Sequence, residues 1–343
     1  MKIAVDAMGG DHAPAAIVQG GLDAARVANG DFEVVFVGDQ KLIEEEISHH
    51  HFVSHLPISI VHAPEKIEMG ESPAAALKRK PDASILVCQR LQREGKVQAV
   101  VSAGHTGAAM ASALFILGRL PGVHRPAIGT VLPASHGLVF MIDVGANVDS
   151  KPKNLQQFAI MGSIFVSKVL GIEKPRVGLL SIGEEPGKGN ELVQASYELL
   201  KQSPVNFVGN VEGRDILKSV ADVVVCDGFV GNILLKFAES VGGIYSLYMR
   251  RQIGKKILSN IGAFLLKPTF RGLKKIWSYE EYGGAPLLGV NGVVIIGHGS
   301  STPRAIMNAI LEAAKMAQSQ MNEEIKREMQ QLNGVKVVAQ ETE

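Results

Sequence analysis

The sequence predicts an α/β fold, a largely parallel sheet with helices on both faces. Three observations carry that expectation. Short apolar runs of strand type recur along the 343 residues, and most are followed by a stretch with helical spacing. Several of the runs are apolar almost without interruption, as strands covered on both faces should be. The 37 glycines collect where those runs end.

In chain order, KIAVDAM hands over through GGDHAP to AAIVQGGLDAARV, whose apolar residues repeat with a helical period. FEVVFVGD, ISIVHA and QAVVSAG follow as further β-rich runs. AIGTVLP and LVFMIDVGA are joined by ASHG and predict an antiparallel hairpin, the exception to the parallel pattern. RVGLLSIG, VNFVGNVE, ADVVVCDG and GVVIIGHGS complete the candidate strands. The stretch from Pro303 to about Leu332 predicts one long helix, with Ser301 or Thr302 as its N-cap and Pro303 in its first turn. The final NGVKVVAQETE is expected to fray. No internal repeat, linker or low-complexity tract interrupts the chain. A single domain over 1–332 and a flexible tail over 333–343 are therefore expected.

Composition narrows the function. The net charge is +1, so no global field favours nucleic acid. Cys88 and Cys226 are far apart, which speaks for a reducing cytosol and against a disulfide scaffold or a thiolate zinc site. Cys226 lies in an apolar run and is expected to be a buried structural thiol. MKIAVDAMGG does not resemble a signal peptide, and no stretch reaches the ~18 apolar residues of a membrane span. His51 and His55 in SHHHFVSH stand four apart, but no acid accompanies them as in HExxH, and no metal is expected.

The glycine-rich junctions are DAMGGDHAP, SAGHTGAAM, DVGANVDSKP, SIGEEPGKGNE, CDGFVGNILLK and GHGSS. In a parallel sheet such junctions share one edge, where ligands bind beyond the strand ends. Exposed N–H groups at helix starts attract anions, so six junctions on one crevice predict a phosphate-like site. GEEPGK imitates a Walker A loop but is one residue short between its glycines, and Gly189 stands where Ser or Thr should hold magnesium. No GxGxxG follows the first strand either.

Those same segments resemble one family closely. MKIAVDAMGGDHAP, SAGHTGA, DVGANVDSKP, IGEEPGKGNE and DGFVGN match in order the bacterial phosphate acyltransferases of phospholipid synthesis, the PlsX type. The resemblance spans Met1 to about Leu332. It implies a three-layer α/β/α homodimer similar to isocitrate and isopropylmalate dehydrogenases and to phosphotransacetylases. It implies transfer of a long-chain acyl group from acyl carrier protein to inorganic phosphate without a cofactor. The acyl phosphate product would then feed a glycerol-3-phosphate acyltransferase.

The residues suit that chemistry. Phosphate is itself the nucleophile, which fits a chain without a Cys–His pair or a GxSxG elbow. By resemblance, Lys188 and Asn232 are the first candidates for catalysis, Lys188 as a full positive charge and Asn232 as an amide donor to an oxyanion or to phosphate. One such donor is typically worth ~3–4 kcal/mol. Gly9, Gly10, Gly104, Thr106, Gly107, Gly187, Gly189, Gly228 and Gly231 are candidates to present backbone N–H groups. Asn147, Asp149 and Lys151 belong at the crevice edge, and Asn190 with Glu191 would hold the Lys188 loop. His12 and His105 either orient phosphate, protonate the leaving sulfur, or merely bond a neighbouring carbonyl. Asp6, Asp11, Asp143 and Asp227 end strands and either cap helices, orient a His or Lys, or hold a cation.

From Ser240 to Tyr279 there is no Asp or Glu, while Arg250, Arg251, Lys255, Lys256, Lys267, Arg271, Lys274 and Lys275 are basic. Ile253, Ile257, Ile261 and Leu265 repeat every fourth residue, and Phe270, Leu273 and Trp277 continue after Pro268. This predicts an amphipathic helical hairpin at about 240–279. It suits an anionic membrane surface, the acidic acyl carrier protein, or a structural contact such as a dimer interface. Cytoplasmic location with reversible association to the inner face of the membrane is expected. The rivals are a β-decarboxylating dehydrogenase, a short-chain phosphotransacetylase and a non-catalytic scaffold; the glycine junctions with Lys188 speak against the scaffold.

Overall fold

The structure is a computed structural model and describes residues 1–253, 262, 265–267, 269, 272 and 279–340. Eleven strands form one sheet among the described residues. They are β1 (Lys2–Asp6), β2 (Glu33–Gly38), β3 (Ile58–His62), β4 (Ala99–Ser102), β5 (Ala127–Pro133), β6 (Leu138–Ile142), β7 (Arg176–Ser181), β8 (Asn206–Glu212), β9 (Val223–Val225), β10 (Ala285–Leu288) and β11 (Val294–Ile296). The helices are α1 (Ala15–Ala28), α2 (Gln40–Ser48), α3 (Pro73–Arg79), α4 (Ser84–Arg93), α5 (Thr106–Ile116), α6 (Pro152–Phe165), α7 (Glu191–Lys201), α8 (Gly228–Ile253), α9 (Pro303–Gln318) and α10 (Met321–Gln340).

Three layers follow directly from side-chain alternation along the strands. Ile3, Val5, Val101, Phe140, Ile142 and Ile295 face one hydrophobic core with residues of α1, α6 and α9. Their neighbours Ala4, Val100, Val139, Met141, Val294 and Ile296 face a second core with residues of α4 and α5. Both faces of the central strands are dry, which is why their runs are apolar at nearly every position, whereas β3 and β8 at the two ends of the sheet are largely half-buried or exposed. The expected α/β/α architecture is what forms.

The spatial order of strands is β3-β2-β1-β4-β11-β10-β5-β6-β9-β7-β8. β3, β2, β1, β4 and β11 are parallel. Then β10 is antiparallel to β11, β5 to β10 and β6 to β5. β9, β7 and β8 run parallel with β6. Three successive reversals leave the two parallel blocks pointing in opposite senses. The junctions after β1, β4 and β11 therefore lie at one edge, here the upper edge. Those after β6, β7 and β9 lie at the other, the lower edge. The expectation that all six share one edge fails for this reason.

Two further expectations are corrected. The strand β10 is short and contains Pro286, so it carried no sequence signal. The C-terminal helix is two helices: Gln320 adopts φ 53°, in the left-handed region, and separates α9 from α10. Thr302, not Ser301, is the N-cap of α9, its Oγ1 accepting from the Ala305 N–H. The backbone of α10 continues to Gln340, past the point where fraying was expected.

Candidate active site

The upper edge is built around the buried Asp6 carboxylate. Asp6 accepts from Ser84 Oγ at 2.5 Å and Ser102 Oγ at 2.7 Å, and from the Met8 N–H at 3.3 Å. One side chain thus ties the end of β1 to the end of β4 and the head of α4. Burial pushes its pKa up, partly offset by those hydrogen bonds. Gly9 is required here: a Cβ would sit 2.6 Å from Asp6 Oδ2 and 2.8 Å from the Gly104 N. Gly10 has φ +118° and lies against the Gly299 and Ala103 carbonyls. The Asp11 N–H donates to the Gly299 carbonyl, so the β1, β4 and β11 elbows form one cluster.

His105 caps α5, its Nδ1 accepting from the Gly107 N–H at 3.1 Å. With Nδ1 the acceptor, the ring proton sits on Nε2, which makes His105 a donor. It lines a small pocket with Asp6, Gly9, Gly104 and Lys66. Thr106 is exposed on the first turn of α5. Asp11 and His12 are exposed in the turn before α1, whose N-cap is Pro14 rather than either of them. Lys66 follows β3 in HAPEKIEMG; no glycine elbow marks it, and sequence reasoning missed it. Ser301 enters the sequence reading only as a cap candidate. Its Oγ is buried at the β11 elbow with no hydrogen-bond partner among the described residues.

A second buried aspartate, Asp143, organises the lower edge. It accepts from the Gly145, Ala146 and Asn147 N–H groups and from Asn147 Nδ2. Burial raises its pKa against those bonds. Asn147 also donates to the Pro126 carbonyl, so both of its amide hydrogens are engaged in holding the loop. Gly228 and Gly231 are buried by packing: a Cβ on Gly228 would meet the Asn147 backbone at 2.7 Å, and one on Gly231 would overlap the Asp143 carbonyl. Their N–H groups are engaged internally, that of Gly228 donating to the Asn147 carbonyl and that of Gly231 to the Asp227 carbonyl. Asp149 and Lys151 are exposed, and Lys151 is the N-cap residue of α6.

Asp227 caps α8 by accepting from the Phe229 and Val230 N–H groups, the capping alternative of the sequence reading. Asn232 lies one turn inside α8 rather than at its start. It flanks Gly145, whose ideal Cβ would be 3.6 Å from the Asn232 side chain. On the neighbouring β7 elbow, Lys188 is exposed and forms no ion pair among the described residues. Its loop is held from below. Gln194 Nε2 donates to the Gly187 and Gly189 carbonyls, and Asn210 Nδ2 donates to the Glu185 carbonyl. Asn190 caps α7 by accepting from the Val193 N–H, which is a structural role. Beneath the loop, Ser181 Oγ and Asn210 Oδ1 are buried with no hydrogen-bond partner among the described residues.

The structure thus gathers the predicted residues into two groups of three elbows. No hydrogen bond among the described residues joins the groups. Both cysteines are buried and burial pushes both thiols well up, so neither supplies a thiolate nucleophile. Lys255, Lys256, Ile257, Ile261, Arg271, Lys274 and Lys275 lie outside the described residues, as do the side chains of Arg250 and Ile253. Arg251 and Lys267 are exposed. No helix of the described residues is long and apolar enough to cross a membrane.

Solved structures with this fold include a phosphotransacetylase from Streptococcus pyogenes, with a TM-score of 0.62 and 18% identity, covering 93% of this chain and 94% of that one. The EutD phosphotransacetylase from Staphylococcus aureus gives 0.60 and 17%, covering 92% and 94%. These likenesses concern the fold. Sequence relatives are much nearer. A phosphate acyltransferase from Moorella thermoacetica is 52% identical over 315 residues, 92% of each chain. One from Pelotomaculum thermopropionicum is 49% identical over 332 residues, 97% of this chain and 96% of its own. The family model described as fatty acid synthesis protein matches residues 1–324, and with relatives of that identity along nearly its whole length the chain belongs to this family.

Proposed function

We propose that this chain is a phosphate acyltransferase that moves a long-chain fatty acyl group from acyl carrier protein to inorganic phosphate. The observation that carries the reading is identity of 49–52% to proteins named phosphate acyltransferase along nearly the whole chain. The geometry supports it. Glycine elbows suit an oxyanion ligand, Lys188 on one of them is a cation with no ion pair among the described residues, and no enzyme nucleophile is needed.

In the proposed reaction a phosphate oxygen attacks the thioester carbonyl carbon. A C–O bond forms and the carbonyl electrons move onto oxygen. Asn232 and Lys188 donate to that developing charge. The tetrahedral intermediate collapses, the C–S bond breaks and the thiolate of the carrier leaves, taking a proton. His105 presents Nε2–H to phosphate or to the departing sulfur. Incubating the protein with long-chain acyl carrier protein and phosphate should yield acyl phosphate and free carrier. Absence of acyl phosphate, or faster turnover of acetyl coenzyme A, would instead favour a short-chain phosphotransacetylase.

The product is too apolar to diffuse freely, and the segment at 240–279 suits reversible binding to an anionic membrane. Its basic residues and its exposed Leu265 and Leu266 support that. In flotation with anionic liposomes, Ile257→Glu should stay behind while the parent floats; equal recovery removes the membrane role. The same basic face suits the acidic carrier. The chain works as a homodimer in this reading, because α8 is too exposed to stand alone: Phe229, Ile233, Phe237, Val241, Ile244 and Tyr248 are each 47–66% exposed.

A further inference from the structure

We propose that acyl carrier protein docks on a basic lip of the lower edge, made by the loop before β5 and the first turn of α6, with Arg125 and Lys153 as its main contacts. This rests on the acyl-transfer reading and assigns a place to the protein half of that substrate. The charge imbalance is already in the sequence. Between Glu94 and Glu173 there are two carboxylates, Asp143 and Asp149, against six cations: Lys96, Arg119, Arg125, Lys151, Lys153 and Lys168. Asp143 is buried in its own loop. Lys96 pairs with Glu94, and Lys168 with Glu324. The remaining four cations are exposed and form no ion pair among the described residues.

The fold gathers those four. The Arg119 guanidinium donates to the His124 carbonyl, which brings it onto the loop beside Arg125. Buried Gln157 stitches the same loop to α6. Its Nε2 donates to the Gly122 carbonyl at 2.8 Å, and its Oε1 accepts from the His124 N–H at 2.8 Å. Lys153 precedes Gln157 by one turn on the same face of α6, so it stands beside the loop. The Pro126 carbonyl accepts from Asn147 Nδ2 at 2.7 Å, which joins the loop to the β6 elbow. Lys151 ends that elbow as the N-cap residue of α6. Buried amides therefore hold the backbone from beneath while the cations face solvent. Asp149 is the one exposed carboxylate on these segments.

Charge complementarity names the occupant, because the carrier is strongly acidic and the lip is basic. The lip is also placed for delivery. The β6 elbow that it joins flanks Asn232 through Gly145. Lys188 follows β7, two strands from β6 and so about 10 Å away at the usual strand spacing. A membrane or a second copy suits the lip less well, since both need a continuous apolar surface. Val148 is the one large apolar side chain exposed among the described residues of 119–126 and 147–153. The apolar face of α8 lies elsewhere. That helix packs on the second core through Leu234 and Leu235, whereas α6 packs on the first, so the two surfaces flank opposite faces of the sheet.

The test compares the full-length parent with Arg125→Glu combined with Lys153→Glu. Labelled long-chain acyl carrier protein is titrated with each enzyme and read by fluorescence anisotropy, alongside steady-state kinetics. The double reversal should raise both the Kd and the KM for the carrier about tenfold or more, and leave kcat and the KM for phosphate unchanged. Added salt should raise the parent's KM for the carrier and affect that of the variant much less. Arg125→Lys with Lys153→Arg, which keeps both charges, should behave as the parent. Unchanged Kd and KM in the double reversal overturn the proposal. A raised KM for phosphate gives the lip to phosphate instead, loss of flotation with anionic liposomes gives it to the membrane, and a change of oligomeric state in size-exclusion chromatography gives it to a second copy; each overturns the proposal. So does a larger rise in carrier KM from Lys255→Glu with Lys256→Glu, which would place the carrier on the 240–279 segment. The anisotropy arm does not depend on turnover. A parent that binds the carrier through the lip but makes no acyl phosphate would sink the function reading and leave the docking surface standing.

Discussion

The two edges of the sheet solve the same construction problem in different ways. Each hangs its glycine elbows on one buried strand-end aspartate. Asp6 is satisfied largely by hydroxyls far away in sequence, Ser84 and Ser102, so it ties separate elements together. Asp143 is satisfied by three backbone N–H groups of the loop after it, those of Gly145, Ala146 and Asn147, and by the Asn147 amide, so it folds its own loop. The upper elbows are consequently bonded to one another around Asp6; of the lower ones, the β6 and β9 elbows meet where the Gly228 N–H donates to the Asn147 carbonyl, while the surface beside them leaves Lys188, Ile182 and Phe229 in solvent. The difference teaches where tertiary structure sets geometry and where a local loop leaves side chains free to meet a partner.

The largest effect should come from the free side chains of the lower edge. Lys188→Ala and Asn232→Ala should fold normally and each lose two to three decades of turnover, about 3–4 kcal/mol of transition-state stabilisation. Neither side chain makes a hydrogen bond or ion pair among the described residues, so thermal stability should not change. Steady-state rates above a tenth of the parent for both would show that the lower edge does not do the chemistry.

Glycine substitutions sharpen the contrast between tight packing and open loop. At Gly231 a Cβ would overlap the Asp143 carbonyl and lie 2.9 Å from Cys226 Sγ, so Gly231→Ala should cost about 3 kcal/mol or more. At Gly9 the Cβ meets Asp6 Oδ2 and the Gly104 N, and Gly9→Ala should cost a comparable or slightly smaller amount. Gly187, with nothing within 4 Å, should accept Ala within about 0.5 kcal/mol. Urea unfolding of the three variants measures this. A destabilised Gly187→Ala would mean the Lys188 loop is packed rather than open.

Much of this arrangement is legible in the sequence. Apolar runs mark every strand except β10, whose short APLL with its proline lacks β-type residues. The hairpin of β5 and β6 is visible in ASHG. What pattern alone does not encode is the spatial order of strands. Without β10 the hairpin looks like a local exception, whereas it completes the reversal that divides the elbows between two edges. The break before α10 has no glycine or proline to announce it, and it falls on Gln320, a residue type with no preference for the left-handed conformation it adopts. At the site, residue types locate the elbows correctly. They do not separate side chains that hold loops, such as Asn147 and Asn190, from those left free, such as Asn232. That distinction depends on which neighbours arrive, as the Pro126 carbonyl does at Asn147.

The smallest effect separates the two aspartates by pH. Burial raises the Asp6 pKa above 3.8, so the native state binds the Asp6 proton more tightly than the unfolded chain. Its contribution to stability is full below pH ~4 and declines as pH rises through the raised native value, with a slope of at most ~1.4 kcal/mol per pH unit. Asp6→Asn lacks that slope. The substitution should therefore cost most at acid pH and progressively less toward neutrality. Asp143→Asn should show the same sign, since its pKa is raised by the same cause. The distinction lies in what else changes. Asp6→Asn weakens the tie to Ser84 and Ser102 and should raise the KM for phosphate, because Gly9 and Gly104 lose their common anchor. Asp143→Asn acts on its own loop and should leave that KM alone. Unfolding from pH 4 to 7 with parallel phosphate titrations reads both. A cost at Asp6 that grows with pH would show its carboxylate is stabilised rather than strained by burial, and equal KM changes would erase the division between a tied edge and an open one.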